Sequence, residues 1–185
     1  MEDSQLDDWT PDPTEDHSPE SSDERARRRV VEIAQDARFC MITSAADDGA
    51  LHARPMTPQQ VNDDLEAWFF ISRSSDQAGD LAARPDVNLS FDGSSDWLSV
   101  AGRATLVDDR SKVREMWNPV VGAWFPDGPD DPDVLLLRVE AESAEYWKAP
   151  GGRLASLLSF VKAKTTGESL DGDRGTVELD SRSRV

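Results

Sequence analysis

Arg54-Pro55-Met56 closes a β-prone run, and a guanidinium beside a proline that limits ladder pairing can turn towards an anion. Taken alone, such an arginine is more often a solvated strand-edge residue in a surface ion pair. The segment Phe69-Phe70-Ile71-Ser72-Arg73-Ser74-Ser75-Asp76-Gln77 alters that balance. It passes from an apolar strand through hydroxyls into a helix start, where free backbone N–H groups and the helix dipole favour a phosphate. Ser74 or Ser75 also suits ordinary helix capping, and the two roles can coexist at one helix end. Trp124 lies in Gly122-Ala123-Trp124-Phe125-Pro126, whose glycine and proline predict a loop. An aromatic there is a slab for a planar ligand, an interface anchor, or a cover for the core.

Other chemistries lack their residues. The two histidines, His17 and His52, and the single Cys40 provide no paired metal-ligand spacing, so no metal site is expected. The sequence has no Walker loop, no G-x-G-x-x-G and no G-x-S-x-G elbow. Asp127-Gly128-Pro129-Asp130-Asp131-Pro132-Asp133 departs from the calcium-loop pattern through its prolines and misplaced glycine, and reads as a solvated loop. Cys40, central in an apolar run with no basic neighbour in sequence, reads as a small core residue. No catalytic acid, base or nucleophile stands out.

The elements that must position these residues follow from periodicity and punctuation. Val30, Ile33, Ala34 and Ala37 share a helical face, predicting a helix from Asp23 to Ala37. Phe39 to Ala45 and Leu51 to Met56, separated by Asp47-Asp48-Gly49, predict a hairpin. Trp68 to Ile71 reads as a strand, and a helix starting at Ser74 or Ser75 should stop at Ala83, before Arg84-Pro85. Strands are expected at Val87 to Phe91, Trp97 to Leu106, Val134 to Ala141 and Ala144 to Trp147. Helices are expected at Asp109 to Trp117 and Leu154 to Ala163. Hairpin-type connections favour an antiparallel barrel over a doubly wound parallel sheet, so the fold class is β-rich α+β.

The 185 residues carry a net charge of −17. Residues 1–24 hold ten acids, no base and three prolines, and residues 25–170 a net charge of −6. The expected division is a disordered acidic tail over 1–22, a folded domain over 23–167 and a flexible tail over 168–185. A chain this acidic lacks the basic face that duplex binding requires, so nucleic acid is not an expected partner. No apolar run approaches the roughly 20 residues of a membrane span, no secretory leader opens the sequence, and one cysteine provides no disulfide framework. The expected location is the cytoplasm.

Beyond this reading of single residues, their order is similar to a known family. Phe39-Cys40-Met41-Ile42-Thr43, Leu51-His52-Ala53-Arg54-Pro55-Met56, Trp68-Phe69-Phe70-Ile71-Ser72-Arg73 and Val87-Asn88-Leu89-Ser90-Phe91 together resemble the pyridoxamine 5'-phosphate oxidase-like split-barrel flavoproteins. Trp117-Asn118-Pro119, Ala123 to Pro132 and Glu145 to Gly152 resemble the bacterial general stress protein branch. The resemblance runs from about Asp23 to Gly167. It implies a six-stranded antiparallel split barrel with peripheral helices, dimeric, holding FMN in clefts at the dimer interface. Arg54 and the turn containing Ile71, Ser72, Arg73, Ser75 and Gln77 would then hold the phosphate and ribityl chain. Backbone near Pro55 and Met56 would meet the isoalloxazine edge, with Trp124 reaching the cleft from the neighbouring subunit. Many relatives carry lysine where this chain has Gln77, which implies weaker phosphate binding. The implied activity is that of an FMN-dependent oxidoreductase acting with a reduced nicotinamide or a small acceptor, in a general stress response. The alternative is a flavin-binding or flavin-sequestering protein without turnover. FAD, another flavin, a deazaflavin or haem are alternative cofactors on the same barrel, and pyridoxamine phosphate oxidation ranks low for want of the extended C-terminal substrate segment.

Overall fold

The structure is a computed structural model describing residues 21–93, 96–148 and 173–179. The acidic stretch 1–20 and the expected helix Leu154 to Ala163 lie outside the described residues.

The first described element is α1 (Ser22–Asp36), whose N-cap Ser21 forms a capping box with Glu24 and whose Val30, Val31, Ile33 and Ala34 are buried. The hairpin β1 (Cys40–Ala45) and β2 (Leu51–Met56) follows, with Gly49 at φ 83° in its turn, where a side chain would be strained. A two-residue strand, β3 (Gln60–Val61), precedes β4 (Ala67–Ser72), α2 (Asp76–Ala83), β5 (Asp86–Asp92) and β6 (Asp96–Val107). Helices α3 (Arg110–Met116) and α4 (Pro119–Trp124) lead into the long β7 (Val134–Lys148), and β8 (Asp173–Glu178) pairs with β7. No described helix is long and apolar enough to cross a membrane.

Among the described residues all pairings are antiparallel, in one eight-stranded sheet ordered β2-β1-β5-β6-β7-β4-β3 with β8 branching from β7. The strands at its two ends, β2 and β3, are consecutive in the chain, joined by Thr57-Pro58-Gln59 alone. So short a connection obliges the sheet to curl until its ends meet, although β2 and β3 share no ladder. The inner face packs Ile42, Phe69, Leu89, Leu98, Val100 and Leu137 against α1 and α2. Strand β4 is buried on both sides: Ala67, Phe69 and Ile71 enter that core, whereas Trp68 and Phe70 join Val113, Val121, Val134 and Leu136 beneath α3 and α4. This two-sided burial accounts for its unbroken apolar run.

Three expectations need correction. The segment predicted as a loop around Trp124 is helical from Pro119 to Trp124, because Asn118 accepts from the Val120 and Val121 N–H groups and Pro119 occupies the first turn, where its missing N–H costs nothing. The strands expected at 134–141 and 144–147 are one strand, with a register shift opposite Ala101/Gly102 absorbing the irregularity. Within the stretch read as a C-terminal tail, 173–178 form β8.

Candidate functional site

Where the two ends of the sheet approach each other they leave a cavity of about 390 Å³, within the range of small-molecule sites. Its walls come from the end of β2, the 57–59 connection, the end of β4, the first turn of α2, and α4. Nothing in the local sequence marks such a space. It follows from strand order, which brings Arg54 and Ile71 together from opposite ends of the ladder.

Helix α4 is held over β4 by aromatic packing. The Phe70 and Trp117 rings meet edge to face at 5.6 Å, and Phe125 lies 6.2 Å from Phe70. Phe70 and Phe125 therefore line the cavity, and Val120, Trp124 and Phe39 line it as exposed side chains. Trp124 is 78% exposed, with no ring contact to another aromatic among the described residues.

The polar groups are few. Arg54 is the only charged residue in the lining, and its buried Nη1 has no hydrogen-bond partner among the described residues. Burying such a donor without an acceptor costs free energy, so the position is suited to an anion from outside the chain. Gln77 is 6% exposed, and its Nε2 meets only the Met56 sulfur, at 3.8 Å. Gln59 is committed: its amide nitrogen donates to the Thr57 carbonyl and its oxygen accepts from Asn118. Ser75 caps α2, accepting from the Ala78 N–H while its hydroxyl donates to the Ser72 carbonyl at 2.7 Å.

Of the residues singled out by sequence, Arg54, Pro55, Met56, Ile71, Ser72, Ser75, Gln77 and Trp124 all line this one cavity. Trp124 does so from the same chain. Arg73 does not join them: its guanidinium turns outward to Asp108 and to the Pro132 carbonyl. That contact and a second from Arg110 hold the Asp108 carboxyl below its ordinary value. Phe39, Thr57, Gln59, Phe70, Val120, Val121 and Phe125 also line the cavity and carry no local mark of it in sequence: strand order places the first four, and the packing of α4 on Phe70 places the other three.

The loop 127–133 is also more than solvated chain. Arg110 donates to the Asp131 and Val134 carbonyls, bracketing Asp133, whose carboxylate accepts from the Ser72 hydroxyl and from the Ser74 N–H at 2.8 Å. Those contacts, Ser72 foremost, keep the Asp133 carboxyl below its ordinary value. Their contribution to stability is therefore present at neutral pH and lost as pH falls through that lowered pKa. Cys40 is buried at 3% exposure and its thiol is pushed up to about 12 by desolvation, so it is not a nucleophile at neutral pH.

A family model described as pyridoxamine 5'-phosphate oxidase like matches residues 25–171. Protein bli-3 of Neurospora crassa is 32% identical over 114 residues, covering 56% of this chain and 54% of that protein, so the match spans about half of the relative's length. General stress protein 26 of Bacillus subtilis is 29% identical over 106 residues, covering 55% of this chain and 74% of that protein. Among solved structures, one assigned as general stress protein 26 from Jannaschia sp. CCS1 has a TM-score of 0.65 at 28% identity, covering 83% of this chain and 98% of its own. The general stress FMN/FAD binding protein of Xanthomonas citri has a TM-score of 0.57 at 30% identity, covering 66% of this chain and 87% of its own.

Proposed function

Because the chain belongs to the pyridoxamine 5'-phosphate oxidase-like family, we propose that the cavity between β2, β4 and α4 binds a flavin, with FMN as the first choice and FAD next, and that the protein is an FMN-dependent oxidoreductase of the general stress type. The observation that carries this reading is the buried Nη1 of Arg54, without a hydrogen-bond partner among the described residues, in an otherwise largely apolar cavity. A flavin asks for an apolar slot, donors at its pyrimidine edge and a cation for its phosphate. Arg54 would bind the phosphate, with the α2 start at Ser75 and Gln77 beside it. Pro55, Met56, Ile71, Val120 and Trp124 would enclose the ring and exclude water from it. A bound flavin supplies two-electron transfer from a reduced nicotinamide to a small acceptor. In this reading β2-β1-β5-β6-β7-β4 form a six-stranded barrel split at the cavity, and buried, unpaired Cys40 accords with a reducing cytoplasm.

One observation favours the alternative of flavin storage without turnover: among the described residues the lining holds no carboxyl, histidine, cysteine or lysine to move a proton. Hydride transfer needs none from the protein, so oxidoreduction remains the first reading. The test is anaerobic mixing of FMN-loaded protein with reduced nicotinamide while the visible flavin absorbance is followed. Bleaching that reverses on adding an acceptor is expected. Persistent colour in a tightly bound complex would assign storage.

We also propose a homodimer. The outer sheet face places Met41 opposite Pro55 and Leu51 opposite Ala45, while Trp97 stands opposite Trp147, and Leu51 is 74% and Trp97 48% exposed. Exposed apolar side chains on one sheet face, with Asn88, Ser90 and Ser99 between them, suit a self-complementary interface. Sedimentation at micromolar concentration should give twice the chain mass, and a clean monomer that still binds flavin would defeat the idea.

Gln77→Lys is expected to act with opposite signs on the two states. The added cation tightens FMN by about 0.5–1.5 kcal/mol, a gain that salt should erode. The same ammonium, desolvated where Gln77 is 6% exposed, lowers the melting temperature of the ligand-free protein. Titration at two salt concentrations and melts with and without FMN measure both.

A further inference from the structure

The donors of the β4–α2 turn are already engaged by an anion that belongs to the chain. Ser72 lines the cavity, and its hydroxyl donates to the Asp133 carboxylate, which also accepts the Ser74 N–H. The carboxylate therefore sits one hydrogen bond behind the cavity wall. It cannot readily swing away: the Asp133 carbonyl accepts from the Arg73 backbone N–H at 2.7 Å, its own N–H donates to Asp131 Oδ1 at 2.9 Å, and Arg110 holds the Asp131 and Val134 carbonyls. The turn's one cation, Arg73, points outward to Asp108. Asp76 adds a second carboxylate in the first turn of α2, offsetting that helix end's dipole. Against these stand Arg54 and the neutral Gln77.

We propose that Asp133 is a specificity-determining residue of the cavity: its carboxylate takes the place of an external anion on Ser72 and Ser74, leaves Arg54 alone to neutralise a ligand phosphate, and so lowers the preference for phosphorylated over unphosphorylated flavin. The proposal rests on the flavin reading above. FMN ends in a phosphate of about −1.5 to −2 charge at neutral pH, and riboflavin carries none. Arg54 attracts that charge while Asp133 repels it, so the ribityl end is close to electrically balanced. The ring environment is the same for both ligands, which makes their affinity ratio a readout of this end alone.

The experiment compares FMN and riboflavin, titrated by flavin fluorescence, in the wild type and in Asp133→Asn. Asparagine keeps an acceptor for the Ser74 N–H and removes the charge. The FMN-to-riboflavin affinity ratio should rise about three- to tenfold, as expected for one charge removed at short range in a partly aqueous setting. Both ligands binding with an unmoved or lowered ratio would overturn the role of Asp133 and leave the flavin reading standing. Absence of binding by either ligand to the wild type would overturn the flavin reading itself, and this one with it. Should Asp133→Asn fail to fold, the wild type gives an independent measurement. Its affinity ratio should change little with salt because attraction and repulsion offset each other, and a steep fall with salt would refute the proposal.

Discussion

Arg54→Ala should weaken FMN by about 10- to 100-fold while leaving riboflavin nearly unchanged, the loss expected for a hydrogen bond to a charged group removed from a site with no second cation in its lining. The ligand-free protein should behave differently. Its Arg54 Nη1 is buried without a partner among the described residues, so truncation removes an unsatisfied donor and the melting temperature should hold or rise. A structural arginine would give the reverse, a lower melting temperature and an equal loss for both flavins. Fluorescence titration and thermal melts of the same samples separate the cases, and Arg54→Lys should recover part of the FMN affinity without the geometry of a two-pronged donor.

The second large effect is on stability. A Cβ built on Gly102 would lie 2.5 Å from the backbone oxygen of Glu140 and 3.2 Å from a Val139 methyl, where β6 and β7 shift register. Backbone cannot retreat as a flexible side chain can, and β6 pairs with β7 over its whole length of 12 residues. Gly102→Ala should therefore cost about 2–3 kcal/mol, lowering the melting temperature by several degrees. Gly79, within α2 and with nothing near its Cβ position, is the control: alanine there should be neutral or stabilising by up to about 1 kcal/mol. Equal melting temperatures for the two variants would contradict the close approach at Gly102.

Local signals made most of the ladder legible. The Asp47-Asp48-Gly49 turn and the flanking alternation located β1 and β2, and Ser75 with Arg84-Pro85 bracketed α2. Signals that depend on partners were lost. Asn118-Pro119 is a sound helix start, yet Gly122 and Pro126 read as loop because the aromatic packing on Phe70 that holds α4 in place is invisible in sequence. Arg73 and Arg54 look alike as cations near hydroxyls, and only the position of Asp108 shows that one is already paired. Asp133 lies 59 residues from the Ser74 it binds, a separation no local rule spans.

The order of the strands also bears on folding. Because β2 and β3 adjoin in the chain but stand at opposite ends of the ladder, the cavity takes its shape only once each intervening strand is registered. The pairing of β4 with β7, Ala67 opposite Val139, is long-range in sequence, and such closure is slow and comes late. Fraying at either edge abolishes the whole site, so any occupant is linked to cooperative unfolding and protects β2 and β4 against opening alike. In hydrogen exchange, amides on these two strands should therefore slow together when the cavity is filled.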